Sequence, residues 1–332
     1  MSSSASFNMP TASLAAMLRE VQVFMNSIQR PRLKDSAWVQ ATLDRCQELQ
    51  ELIGSTRAAV ANRGQGVSES MEEFLEYLKV WMHEFRERPK ASRMKKVTEQ
   101  LSFRYEAMVQ SARTWKETAS NFHDHVEHIK PMNYARSIFH VGMGVSAVLL
   151  AEVFLTWSQC FWVVGAIAVV ALTLEISRRF STSWNQILVT KVFAPIARPR
   201  EMYRTNGATY YTLATLILVA IFSKPAAEIG LLALAFGDPG ASLIGKRWGK
   251  LKLYRQKSVI GTSVFFALAV AASIFVLSVL HPTLLPWSSR WALALSVAFA
   301  GTMAELFSHR LDDNLTIPVA CATVASIWLP IF

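Results

Sequence analysis

The residues of this chain best suited to chemistry lie between Asp238 and Gly261. Asp238 is followed by Gly240, Ala241, Gly245 and Gly249, then by Lys250, Lys257, Ser258 and Gly261. If the segment is helical, spacings of three, four and four put Asp238, Ala241, Gly245 and Gly249 on one stripe. Asp238 before Pro239 reads as an N-cap with proline at the first helical position. The stripe is then a ridge almost bare of side chains, open to close approach by a bound molecule. A helix start also supplies free N–H groups and a positive dipole, which suit phosphate. Lys250, Lys252, Arg255 and Lys257 add cations, and Asp238 can hold Mg²⁺ between itself and a nucleotide. The plainer alternative is a basic loop beside a membrane span, its glycines serving helix packing.

Other groups extend this chemistry. Glu305 and the run Asp312, Asp313 and Asn314 offer further oxygen ligands for a metal or a nucleotide. His140 is a candidate base for a lipid hydroxyl, or a packed interfacial histidine. Glu175 and Arg178, three apart, are spaced to pair with each other. Residues 240–247 come close to a phosphate-binding loop of the Walker A type. They fail it because Arg247 replaces the Ser/Thr ligand of Mg²⁺ and because they follow an apolar helix rather than a strand. His123, His125 and His128 step by two and three and so do not converge on one helical face.

The elements that must position these residues follow from composition. The chain has 332 residues, is 52% hydrophobic and carries a net charge of +10. Only eight of its 24 acids lie beyond residue 137, where apolar runs dominate. The start lacks a basic segment followed by an apolar core, so no cleavable leader is expected. The three cysteines are too dispersed for a disulfide framework or a metal cluster. A basic excess beside membrane spans favours anionic headgroups or phosphates over nucleic acid as partners.

The expected fold class is all-α: a polytopic membrane protein of about seven transmembrane helices with an N-terminal cytosolic helical bundle. Residues 1–10 read as disordered. Residues 11–130 read as a four-helix bundle, with faces such as Leu14, Met17, Leu18, Val21 and Met25. Its breaks fall near Pro31, Gly64 to Gly66 and Pro89, and Ser70 with Glu73 resembles a capping box. Residues 131–332 hold apolar segments at 138–155, 159–174, 208–222, 225–237, 258–280, 289–307 and 315–332; the fourth reads as a half-helix or re-entrant element. Arginines and lysines crowd the loops at 175–207 and 238–257, against only Lys224 and Arg290 in the opposite turns. That bias places the amino terminus, Asp238, Lys257, Glu305 and Asp312 to Asn314 on the cytosolic side.

At these residues a family resemblance emerges. Asp238, Ala241, Gly245 and Gly249, then Lys257, Ser258, Gly261 and Thr262, resemble the CTP-binding motif of dolichol kinases, phytol kinases and CTP-dependent diacylglycerol kinases. Arg136 to His140, Arg200-Glu201 with Asn206 to Tyr211, and Glu305 with Asp312 to Pro318 resemble three further motifs of that family, in order. The resemblance covers about residues 133–332. It implies transfer of the γ-phosphoryl group of CTP, with Mg²⁺, to the hydroxyl of a membrane lipid: an isoprenoid alcohol or diacylglycerol. It also implies Asp238, Lys257, His140 and Glu305 in catalysis. Gly240, Ala241, Gly245, Gly249, Lys250, Lys257, Ser258 and Gly261 would then contact CTP, and Asp238, Asp312, Asp313 and Asn314 the metal. One departure is Ile260, where the family commonly has Glu. Two other functions fit less of the pattern: a CTP:phosphatidate cytidylyltransferase, and a non-catalytic anchor that recruits a protein partner through residues 11–130.

Overall fold

A computed structural model describes residues 9–28, 35–61, 64–87, 91–115, 134–193, 196–254, 257–308 and 311–329. His123, His125, His128 and Arg255 lie outside them, as do the first eight residues, expected to be disordered. The chain forms two compact units, Met1–Pro131 with Arg198–Tyr203 and Met132–Ala197 with Arg204–Phe332.

The first unit contains α1 (Met9–Ile28), α2 (Ser36–Val60), α3 (Gln65–Glu87) and α4 (Ala91–Trp115). The start of α1 at Met9 corrects the expectation of disorder through residue 10. Each helix buries a stripe at three- and four-residue spacing; in α3 it is Val67, Met71, Phe74, Leu78, Trp81 and Phe85. Trp81 stacks on Phe85 at 4.7 Å and donates its indole N–H to Thr98 Oγ1 at 3.0 Å, so the polar end of this large side chain is satisfied. Ser70 is not a cap: it lies inside α3 and donates its hydroxyl to the Gly66 carbonyl.

The second unit is built from α5 (Tyr134–Leu149), α6 (Trp157–Ser177), α7 (Thr182–Ile187), α8 (Gly207–Ile221), α9 (Lys224–Trp248), α10 (Val259–Phe275), α11 (Trp287–Phe307) and α12 (Asp313–Trp328). The helices α5, α7 and α10 each continue into a π-helical turn, Leu150–Phe154, Leu188–Val192 and Val276–Leu280. Between α9 and α10 lies a small antiparallel hairpin, β1 (Lys252–Tyr254) and β2 (Lys257–Ser258). Among the described residues, four helices are long and apolar enough to cross a membrane: Tyr134–Phe154, Trp157–Ser177, Lys224–Trp248 and Val259–Leu280. Their outer faces are apolar, as at Trp162, Val169, Val170 and Val279, which suits hydrocarbon as solvent.

The helix α9 is the centre of this unit, packed on α5, α8, α10 and α12. It overturns the sequence reading in two ways. The fourth apolar segment is neither a half-helix nor re-entrant but part of the 25-residue α9. Asp238 is not an N-cap: α9 runs through Asp238 and Pro239 to Trp248. The physical reason is the surroundings. A proline within a helix forfeits one N–H bond, whereas ending the helix there would strand several backbone groups among buried side chains. Pro318 sits inside α12 in the same way.

Far from Asp238, a second polar group joins the other ends of these helices. Lys224 Nζ lies 2.9 Å from Glu152 Oε1 and donates to the Ala151 carbonyl, while His281 Nε2 meets Glu228 Oε2 at 2.7 Å. Ten residues of α9 separate Glu228 from Asp238, about 15 Å of helix.

At Gly230 the backbones of α9 and α12 approach closely: an added Cβ would stand 2.5 Å from the Pro318 carbonyl oxygen. Gly230→Ala should therefore push α9 from α12 and destabilise the protein by about 1–3 kcal/mol. Thermal unfolding in detergent checks this, and an unchanged midpoint would contradict so close an approach.

Candidate functional site

The caps of three helices set the frame. Asn206 accepts from the Ala208 N–H at the start of α8, Ser258 from the Gly261 N–H at the start of α10, and Asp312 from the Asn314 N–H at the start of α12. Each is a polar residue directly before an apolar run, the ordinary signal of a helix start. Asn314 ties two of these starts together, donating Nδ2–H to the Gly207 carbonyl at 3.1 Å. The third is brought in by Lys257, which pairs with Glu305 of α11 and whose charge interacts with Asp313 and Asp238. Three positive helix ends thus share one region of the unit.

Lys257 is the hub of that region. Burial disfavours its charged form, but Glu305, Asp313 and Asp238 together outweigh this and hold the ammonium above its ordinary pKa. A raised lysine pKa contributes stability that is complete below the unfolded value and lost only as pH rises through the folded one. The Lys257 ammonium therefore stays charged across neutral pH. Asp238, Glu305, Asp313 and Asn314 are all buried. Glu305 Oε2 and Asn314 Oδ1 lie buried with no hydrogen-bond partner, an arrangement that marks a place for a missing donor or cation. Carboxylate and amide oxygens are the ligand types Mg²⁺ prefers, so the residues present fit that ion.

The predicted nucleotide ridge needs correction. Ala241, Gly245 and Gly249 do lie along α9, but the stripe is covered by the start of α10 rather than open. A Cβ on Gly261 would stand 3.0 Å from the Ala241 carbonyl oxygen and 3.2 Å from Gly245 Cα. Gly249 is the C-cap of α9 and would overlap Ser258 if it carried a side chain. Gly240 faces Leu268 of α10. Small residues here let two helices approach closely, the packing alternative raised from the sequence. Of the remaining predicted contacts, Lys250 is exposed beyond the helix end, and Asp312 caps α12 through its side chain. His140 is buried and packs edge-on against Tyr211, ring centroids 5.3 Å apart. Ile260 is 43% exposed at the second position of α10.

Two further supports hold the start of α8. Buried Arg136 donates NH1 to the Ile196 carbonyl at 2.8 Å, and its guanidinium lies where any side chain on Gly207 would be. Gly207 is thus the gap that admits Arg136 to the start of α8. Glu175 and Arg178 pair as their spacing suggests, with bonds of 2.9 and 2.8 Å. Glu175 also accepts from the Asn206 N–H at 3.2 Å, and Arg178 donates to Asn185 Oδ1 and the Arg204 carbonyl. This ion pair anchors the α8 cap and is structural.

Removing Lys257 would leave three acids facing one another. Lys257→Met should destabilise by roughly 3 kcal/mol, the low end for breaking a buried pair because the lysine is partly solvated. Adding Glu305→Gln should restore part of the loss. Unfolding midpoints of the single and double variants measure this, and additive losses would refute the pairing.

Comparison with known proteins adds the following. The chain is 30% identical over 196 residues to the CTP-dependent diacylglycerol kinase 1 of Schizosaccharomyces pombe, covering 56% of this chain and 89% of that one. Similarity to the protein of the same name in Saccharomyces cerevisiae is 27% over 201 residues, covering 55% and 69%. The phytol kinase of a Synechocystis species is 30% identical over 225 residues, covering 60% and 83%. No family model matches the chain. No solved structure matches it either.

Proposed function

The chain belongs to the CTP-dependent lipid kinase family, and from that premise we propose that it transfers the γ-phosphoryl group of CTP to the hydroxyl of a membrane lipid, diacylglycerol or an isoprenoid alcohol. The observation that carries this reading is the half-buried Lys257 among the buried acids Glu305, Asp313 and Asp238, beside the starts of α8, α10 and α12.

Phosphoryl transfer asks a protein for positioning and charge more than for covalent chemistry. The triphosphate is held by the N–H groups and dipoles of the three helix starts, with Lys257 as counter-charge. Asp238, Asp313 and Asn314 hold Mg²⁺, assisted by Asp312 at the same helix start; the ion, when bound, screens the charge of the phosphate oxygens. The lipid oxygen forms a bond to the γ-phosphorus as the bond to the β-phosphate oxygen breaks, so CDP leaves. His140 takes the hydroxyl proton; its neighbour Tyr211 and, one turn earlier on α5, Arg136 lie on the path towards Asn314. Gly245, Gly249, Ser258 and Gly261 serve this site by bringing Lys257 to it rather than by touching CTP.

The wider architecture belongs to the same reading. The helices α5, α6, α8, α9, α10, α11 and α12 are the seven spans of a multi-pass protein, in a membrane-embedded domain of residues 131–332. The basic loops put the Lys257 end and the bundle of residues 11–130 in the cytosol. That bundle is available to a protein partner.

Incubation of the purified protein with γ-labelled CTP, Mg²⁺ and a panel of lipid alcohols should yield labelled lipid and CDP. Release of pyrophosphate with no labelled lipid would mean a cytidylyltransferase instead. Asp238→Asn should lower kcat by about 100-fold or more while leaving membrane insertion intact. Near-normal turnover in that variant would remove Asp238 from the chemistry.

A further inference from the structure

The second unit contains a cavity of about 210 Å³ between α5, α6, α8 and α9, which none of the chemistry above uses. Its walls are almost wholly carbon, with Met143, Ala147, Val164, Leu218 and Leu231 among them. Met143 of α5 and Ile167 of α6 line it while also lying on the exposed face of the unit. The cavity therefore reaches the side of the helices, where hydrocarbon would be.

Among the described residues, two buried polar atoms of the lining make no hydrogen bond: the Tyr211 hydroxyl at one end and Glu228 Oε1 at the other. The Tyr211 side chain is 95% buried and lines the cavity, and its hydroxyl makes no hydrogen bond. Thr212 and Thr215 also line the cavity, but their hydroxyls are satisfied by the carbonyls of Ala208 and Tyr211. An unsatisfied buried hydroxyl is costly, so one facing an apolar cavity points to an oxygen-bearing occupant at that end. Tyr211 stands at the end nearer the site: one turn from the start of α8, against the His140 ring and beside Gly144. Glu228 closes the far end, one of its oxygens held by His281. From Tyr211 to Val219 the wall of α8 runs eight residues, about 12 Å. That is most of one leaflet of a hydrocarbon core ~30 Å thick.

We propose that this cavity takes a hydrocarbon chain of the acceptor lipid, with the Tyr211 hydroxyl donating to an oxygen of its head and so presenting the hydroxyl that reacts to His140. This deepens the kinase reading and rests on it for the identity of the lipid. Binding in the cavity is a separate matter from turnover.

The test uses the full-length protein in nanodiscs with two variants. Tyr211→Phe removes only the hydroxyl, and Ala147→Phe fills the cavity. A diacylglycerol carrying a diazirine midway along one chain, irradiated without CTP, should label peptides of α5, α6 and α8, and Ala147→Phe should reduce that label about tenfold. Tyr211→Phe should raise the KM for lipid about three- to tenfold and leave the KM for CTP unchanged. Its thermal stability should equal or exceed the parent's, because it discards an unpaired buried hydroxyl; a structural tyrosine would lose stability instead. Equal labelling of parent and Ala147→Phe, or an unchanged lipid KM in an active Tyr211→Phe protein, overturns the proposal. Site-specific labelling in a protein that phosphorylates no lipid alcohol would support the cavity and overturn the kinase reading.

Discussion

A single ammonium holds three carboxylates where water is scarce. Lys257 has Glu305 as direct partner, and the charges of Asp238 and Asp313 also act on it. Without it these acids would repel one another across α9, α11 and α12, and each would have to give up its charge or its burial. Ser258, next in sequence, caps α10, so the residue that neutralises the acids and the residue that starts the helix are neighbours. The small residues of α9 then acquire a purpose: they let the start of α10 come close enough for Lys257 to reach the acids. Site and packing are in this sense one arrangement.

Much of this was readable from residue types. The apolar segments correspond to the helices α5, α6, α8, α9, α10, α11 and α12, and among the described residues four of the helices are long and apolar enough to cross a membrane. The acids at 238, 305 and 313 and Lys257 stood out as charges beside such segments, where charge is expensive. What misled was Asp238-Pro239. By local chemistry it is a helix start, and its interior position is decided by neighbours that exclude water, which no local rule contains. The glycine stripe was correctly placed on one face of α9, but what covers that face depends on the hairpin that follows. Gly207 shows the limit most simply. Its importance lies in the space Arg136 fills, a contact between residues 71 positions apart.

The proposed anion-binding chemistry lies at other helix starts than the one expected from the sequence. The helix dipole expected at Pro239 is absent, since α9 continues there. Three others stand at Asn206, Ser258 and Asp312, each with its own cap. These starts come from distant parts of the chain and are gathered by Asn314 and Lys257, so the triphosphate site proposed for them would be assembled only in the finished fold. The bare ridge gives way to a set of backbone donors with buried acids behind it.

The ion pairs at the other end of the helices bear on how the protein is made. Glu152 closes α5, while Lys224 and Glu228 open α9, some seventy residues later in synthesis, and His281 follows later still. Until they meet, each would carry a lone charge at the edge of hydrocarbon, a burden of about 2.5–3.5 kcal/mol for an acid or a lysine brought to the middle. If α5 is a membrane span, it emerges with the Glu152 carboxylate before its partner Lys224 is translated. Insertion of the early segments would then be coupled to the arrival of the later helices.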